Sequence, residues 1–172
     1  MKVSRYVLCV FAITSCLFIK STLSCNGYAL KVNSIKNCRE NNVIRLDETF
    51  SVTLDKNCNL IPKGCGVTKA FKTLNVKYTF TKPPMAPLEG TLNGCELMES
   101  NPTVGMLLSA FALPTKCPVK AQKICVNGDK TLSISKYRMQ LGLIAGNMKL
   151  KIDGKHDTGN TCLLLDLSLN KK

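Results

Sequence analysis

The side chains able to do chemistry in this 172-residue chain are ten cysteines, a single histidine and a thin set of carboxylates. Nucleophilic catalysis by serine or cysteine needs a base beside it, and His156 falls in the turn-like stretch Gly154-Lys155-His156-Asp157-Thr158-Gly159. It reads as an exposed turn residue. The eleven acidic residues give no pair whose surroundings would tune one as acid and the other as base. No catalytic residue is assigned, and the chain reads as a non-enzyme. There is no CxxC pair and no Cys/His cluster, so no metal and no cofactor is expected.

The cysteines are better explained by oxidation in an exported protein. Lys2 and Arg5 precede an almost uncharged run from Tyr6 to Ile19, followed by Ser21, Thr22, Leu23 and Ser24. The run is short of the ~20 residues that a spanning helix needs, and small residues at Thr22 and Ser24 suit a peptidase cutting before Cys25. Residues 1–24 therefore read as a signal peptide and 25–172 as one domain, secreted or extracellular. Eight cysteines remain in the exported part: Cys25, Cys38, Cys58, Cys65, Cys95, Cys117, Cys125 and Cys162. An even number in an oxidising compartment predicts four disulfides, whose pairing the sequence alone leaves open among 105 arrangements.

Removing Lys2, Arg5 and Lys20 from 24 basic residues, against 11 acidic ones, leaves a formal charge of +10. Such a charge favours acidic partners, an anionic membrane surface above all. Nucleic acid is disfavoured by the export signal and by the lack of a binding motif. The lysines are spread along the chain and largely read as a solvated face.

The elements that must position any site are mostly strands. Leu74 to Thr81 alternates apolar and polar side chains without a fault, which predicts Val76, Tyr78 and Phe80 inward and Lys77, Thr79 and Thr81 toward solvent. Met148 to Asp153 and Leu163 to Leu169 repeat the period. Shorter candidates are Val43 to Leu46, Phe50 to Leu54, Gly66 to Phe71, Lys123 to Val126 and Thr131 to Ser135. Turn chemistry separates them at Ile61-Pro62-Lys63-Gly64, Lys82-Pro83-Pro84, Asn127-Gly128-Asp129 and Gly154 to Gly159. The fold class is all-β: a disulfide-stapled β-sandwich or β-cup of about seven to eight antiparallel strands, with a short helix and an apolar loop between Cys95 and Cys117.

That loop carries the candidate site. Val104 to Leu113 is apolar without strict alternation and reads either as a helix packed on the core or as a mobile lip at the mouth of a cavity. Tyr78, Phe80, Leu97, Met98, Met106, Leu107, Leu108, Phe111 and Leu113 are the candidate ligand-binding residues, with Leu107, Leu108 and Phe111 forming the lip. An apolar lining supplies roughly 0.8 kcal/mol per buried methylene of an acyl tail.

A set of motifs in fixed order gives this pattern a relative. Asn37-Cys38 and Val43-Ile44-Arg45 come first, then Cys95-Glu96-Leu97-Met98-Glu99, then an apolar segment ending at Leu113-Pro114. Cys117-Pro118-Val119-Lys120, a strand opened by Gly146-Asn147, and Cys162 on the last strand complete the series. Over residues 37 to 169 the chain resembles the ganglioside activator proteins, lysosomal sphingolipid activators of the wider ML-like lipid-recognition superfamily. The resemblance implies a β-cup that lifts a lipid or glycolipid from a membrane and presents it to a soluble glycosidase or carrier. It also implies that Cys38 pairs with Cys162. Cys25, Cys58 and Cys65 have no counterpart in that pattern. With no N-x-S/T sequon, since Asn101 precedes Pro102, an extracellular carrier of chemosensory or secretory type stands beside lysosomal delivery. The rival function is a secreted protein-interaction or chemosensory ligand-binding module without lipid transfer.

Overall fold

The computed structural model describes residues 24–171 apart from Ala112, so all but Ser24 of the assigned leader lies outside the described residues. The architecture is a disulfide-stapled β-sandwich. One sheet has the strand order β1 (Tyr28–Asn37), β10 (Gly159–Lys171), β9 (Gly146–His156), β5 (Leu74–Thr81) and β6 (Leu88–Asn93), all antiparallel. The second is built on β4 (Asn59–Thr68). Along one edge of β4 run β2 (Ile44–Leu46) and β3 (Ser51–Leu54); along the other run β7 (Gln122–Asn127) and β8 (Leu132–Ser133). Helices α1 (Gly94–Ser100) and α2 (Pro102–Ala110) follow β6. A 3-10 segment (Ser135–Gln140) and the one-turn α3 (Leu141–Ile144) join β8 to β9.

The alternating stretch at Leu74–Thr81 is β5 over its whole length. Two strands carry no clean signal in the sequence. In β1 a bulge between Val32 and Ser34 shifts the phase, so Leu30 and Val32 are even while Ile35 is odd, and alternation breaks although one face stays inward. In β6 the alternation of Leu88, Gly90 and Leu92 is interrupted by a glycine. A Cβ there would lie 2.6 Å from the Tyr78 hydroxyl, so the ring of its cross-strand partner occupies that space.

Two expected turns are strand instead. Ile61-Pro62-Lys63-Gly64 lies inside β4, paired with β3 through Val52 and Pro62. Proline is tolerated because β8 pairs only as far as Leu60 and β7 begins at Lys63, leaving a break in the ladder. Gly64, at φ +130°, lets the Phe50 backbone approach to 2.6 Å of where a Cβ would stand. At the other expected turn, β9 continues through His156 and β10 restarts at Gly159, so the turn shrinks to Asp157 and Thr158.

All eight cysteines of the described residues are paired: Cys25–Cys58, Cys38–Cys162, Cys65–Cys125 and Cys95–Cys117, with Cα separations of 4.7, 5.1, 4.0 and 5.6 Å. The second closes 124 residues of sequence, worth nearly 5 kcal/mol in the chain-entropy model. Beside it Asn42, 4% exposed, acts as a missing strand partner. Its Nδ2 donates to the Cys162 carbonyl (2.9 Å), and its Oδ1 accepts from the Cys162 N–H (2.8 Å). The Val43 N–H donates to Asn160 and the Ile44 N–H to the Thr161 hydroxyl, so the second sheet is hydrogen-bonded to β10 at this end.

The apolar core is divided. One cluster gathers Cys25, Cys58, Leu141, Met148 and Leu169 at the end where β1 begins; a second gathers Val43, Phe71, Leu74 and Val119 at the opposite end. A third, Ile35, Phe50 and Val126, joins β1 to the second sheet. A domain of this size usually forms one contiguous core.

Replacing Asn42 leaves the buried Cys162 N–H without a partner, while the Cys162 carbonyl keeps the Cys38 N–H. Asn42→Ala is expected to cost about 1 to 3 kcal/mol. Asn42→Asp, which sets an oxygen against the Cys162 carbonyl, should cost at least as much. Chemical denaturation under non-reducing conditions measures both.

Candidate functional site

The inner face of the five-stranded sheet is apolar but not closed over. Register places Val76, Tyr78 and Phe80 of β5 beside Leu150 and Ile152 of β9, with Leu163, Leu165 and Leu167 of β10 beyond. Of these only Leu163 is buried; the rest are half-buried. Val76 packs on the cluster around Leu74, and Phe80 on the one around Met148, at opposite ends. Between them Tyr78, Leu150 and Ile152 belong to none of the three clusters. On the other face Lys77 is exposed beside Glu89 at 4.0 Å, while Thr79 and Thr81 are half-buried.

Helix α1 packs on β5 and β6, and α2 on α1 and β8. Asn93 caps α1, its Oδ1 accepting from the Glu96 N–H, and α1 lies against β5. Asn101 caps α2 by accepting from Thr103 and Val104, with Pro102 in its first turn. The Cys95–Cys117 bond clamps the base of this pair. The apolar run from Val104 thus divides: helix through Ala110, with Phe111 and Leu113 beyond it. Met106 and Leu107, 53% and 40% exposed, face out, whereas Leu108 and Leu113 are half-buried. Phe111 stacks on Phe50 with ring centroids 6.1 Å apart and joins the third cluster, so it anchors the helix end. Met98 packs on the cluster around Phe71, and Leu97 is half-buried. The candidate residues therefore do not form one patch. Phe80, Met98 and Phe111 stand in three different clusters, while Tyr78, Leu97, Leu108 and Leu113 stand in none.

A second group of apolar residues went unrecognised in the sequence. Met85 and Leu88 flank the β5–β6 turn, just beyond Thr81, which pairs with Lys149 near the start of β9. The segment leading into β9 exposes Tyr137, Met139, Leu143 and Ile144 at the same end of the sheet, Met139 and Leu143 by 79% and 75%. Lys82, Lys136 and Arg138 accompany them, the Lys136 ammonium lying 4.8 Å from the Tyr137 ring centre. The signal was the sequence Met139-Gln140-Leu141-Gly142-Leu143-Ile144, too short and unperiodic to assign to a strand or an amphipathic helix.

No protein-family model matches the chain. The sporozoite-associated mosquito saliva protein 1 of Anopheles gambiae is 31% identical to it over 151 residues, covering 85% of this chain and 83% of the relative. This chain belongs to the family of that saliva protein. Shared descent over nearly the whole length, together with four disulfides, makes this family member a secreted, extracellular protein.

His156 is the expectation most clearly overturned. It is 6% exposed at the end of β9, edge-on to Phe71 with centroids 4.4 Å apart and 2.9 Å from the Thr161 hydroxyl. The turn is held instead by Asp157, whose carboxylate accepts from the Lys72 and Thr73 N–H groups. Those bonds hold the Asp157 carboxyl below the usual 3.8. Among the described residues, no three His, Cys, Asp or Glu side chains converge as a metal site would require.

Burial holds the imidazole below its ordinary 6.5, with Asp157 opposing weakly. The unfolded chain therefore takes up a proton near 6.5 that the folded chain refuses. Stability falls as pH drops below that value, by at most about 1.4 kcal/mol per pH unit, until the folded-state value is reached. His156→Asn, which keeps a polar partner for Thr161 but does not titrate, should remove most of the loss in melting temperature between pH 7 and pH 5. Equal acid sensitivity in both proteins would contradict this assignment.

Proposed function

We propose that this protein is an extracellular lipid carrier that holds an acyl or glycolipid tail between its two sheets and exchanges it at a membrane surface. The observation that carries this reading is the half-buried apolar middle of the inner face, Tyr78, Leu150 and Ile152, flanked by packed clusters at both ends. Apolar side chains facing a sandwich interior yet incompletely covered are the lining that an acyl chain would complete, at about 0.8 kcal/mol per methylene. The motif order shared with the ganglioside activators supports the same reading. The relative's name places that protein in mosquito saliva, and secretion into saliva is the extracellular setting proposed here in preference to the lysosome.

The exposed apolar end supplies the route. Met139 and Leu143, with Met85 and Leu88 at the same end of the sheet, would sit shallowly in the bilayer interface, while Lys82, Lys136 and Arg138 favour an anionic leaflet by about 1 kcal/mol each. Met106 and Leu107 on α2 extend the apolar surface from the helical side. A soluble glycosidase or a second carrier would receive the lipid.

Two substitutions separate holding from exchange. Ile152→Trp fills the interior. By displacing two or three methylenes it should weaken binding of a fluorescent fatty acid roughly tenfold or more while leaving the melting temperature nearly unchanged. In a dry, fully packed sandwich the same change would cost about 1 to 3 kcal/mol of stability, and the parent protein would bind no probe. Met139→Ser with Leu143→Ser should slow transfer between vesicles and leave both binding of the probe and stability intact. Unchanged transfer would remove this end of the molecule from the route.

A further inference from the structure

The outer face of the five-stranded sheet carries a groove of about 510 Å³, on the opposite side from the proposed lipid space and independent of it. Its floor is one row across four strands: Asn160 of β10, Lys155 of β9, Asn75 of β5 and Asn93 of β6 are successive cross-strand partners. The next row sets Asp153 beside Lys77 and Thr91. Arg39 reaches the groove from the turn after β1, held there by the bond of its neighbour Cys38 to Cys162 on β10.

The charge on this face is one-sided. Lys31 and Lys36 on β1, Lys149, Lys151 and Lys155 on β9, and Lys77 on β5 all point outward and are exposed. Glu89, Asp153 and Asp166 are the acidic residues among them. Each is engaged: Glu89 with Lys77 at 4.0 Å, Asp153 with Lys151 at 2.9 Å, and Asp166 with the Asn33 amide at 2.9 Å. Among the described residues Arg39, Lys36, Lys149 and Lys155 have no carboxylate partner. Along β9 the cations from Lys149 to Lys155 span roughly 20 Å at strand spacing.

We propose that this face binds a sulfated polysaccharide chain. A linear polyanion matches a row of cations of this length, and the guanidinium of Arg39 suits a forked contact with an oxyanion. The amides of Asn75 and Asn160 supply donors and acceptors for sugar hydroxyls, the use to which a row of neutral polar groups between cations is suited. A membrane is the less fitting partner for this face, because the exposed large apolar residues of the molecule stand elsewhere, and Leu164, turned toward it by alternation, is half-buried.

The test measures affinity for a heparin oligosaccharide of defined length at 0.15 M NaCl, where exposed charges more than ~8 Å apart are largely screened. Arg39→Gln with Lys155→Gln is compared with Lys63→Gln and Lys123→Gln on the second sheet, which remove the same net charge. The first pair should weaken binding about tenfold and the control pair less than about threefold, with equal melting temperatures, because only the first removes local complementarity. Equal losses in the two pairs would reduce the effect to net charge and overturn the proposal, as would failure of the parent protein to bind. Binding to phosphatidylserine vesicles is measured in parallel. If the first pair lost vesicle binding while keeping the oligosaccharide, the face would belong to a membrane and the proposal would be wrong.

Discussion

The two sheets are held together at their ends, and this constraint governs the rest of the molecule. Ahead of β1, Cys25 is bonded to Cys58 at the head of β4, which ties the first sheet to the second; after β1, Cys38 is bonded to Cys162 within the first sheet, and Asn42, Val43 and Ile44, leading into β2, hydrogen-bond to Cys162, Asn160 and Thr161 of β10. Each staple sits in or beside a buried apolar cluster. A sandwich pinned this way does not need a continuous core to keep its sheets in register. That freedom lets Tyr78, Leu150 and Ile152 remain only half-buried midway between the staples. The third cluster, around Ile35 and Phe50, joins the β1 side to the second sheet, while α1 lies against β5 and β6, and α2 against α1 and β8.

From that geometry the two faces of the five-stranded sheet acquire opposite characters. Leu163, Leu165, Leu167 and Leu169 turn one face of β10 toward the interior, while Lys149, Lys151 and Lys155 turn the opposite face of β9 toward solvent. Strand alternation alone produces this division, since a shift of one residue in register would exchange the two sets. The apolar interior and the basic exterior are thus consequences of one pairing, and a protein built this way has two chemically distinct surfaces on the same strands. The exposed apolar residues at the β9 start lie where neither face controls the chain, on connections between strands.

Much of this was legible from period and punctuation. The flawless alternation at Leu74–Thr81 fixed a strand and its inward side chains, and the long leucine period marked β10. Eight exported cysteines pointed to four bonds, and four are present. The failures have physical causes. A bulge at Val32 hid β1, and proline and glycine inside β4 imitated a turn because a ladder break and a close approach by Phe50 make room for them. His156 looked like a turn residue because polarity and glycines surround it; burial there depends on Phe71, 85 positions away in sequence. Apolar character alone marks the candidate side chains in the sequence, and it does not separate Phe111, anchored on Phe50, from Leu107, which is exposed. The exposed group from Tyr137 to Ile144 has no regular period, so only its placement at the end of the sheet that also carries the β5–β6 turn gives it meaning.

The central claim is that the middle of this sandwich is a space for an acyl chain rather than a packed core. Native mass spectrometry of the oxidised protein, after incubation with mixed-chain phospholipid vesicles and removal of the vesicles, addresses it most directly. The account predicts a species heavier than the polypeptide by one lipid molecule, released intact by organic extraction and lost in Ile152→Trp. A spectrum containing only the bare polypeptide, with the Ile152→Trp protein markedly destabilised, would contradict it.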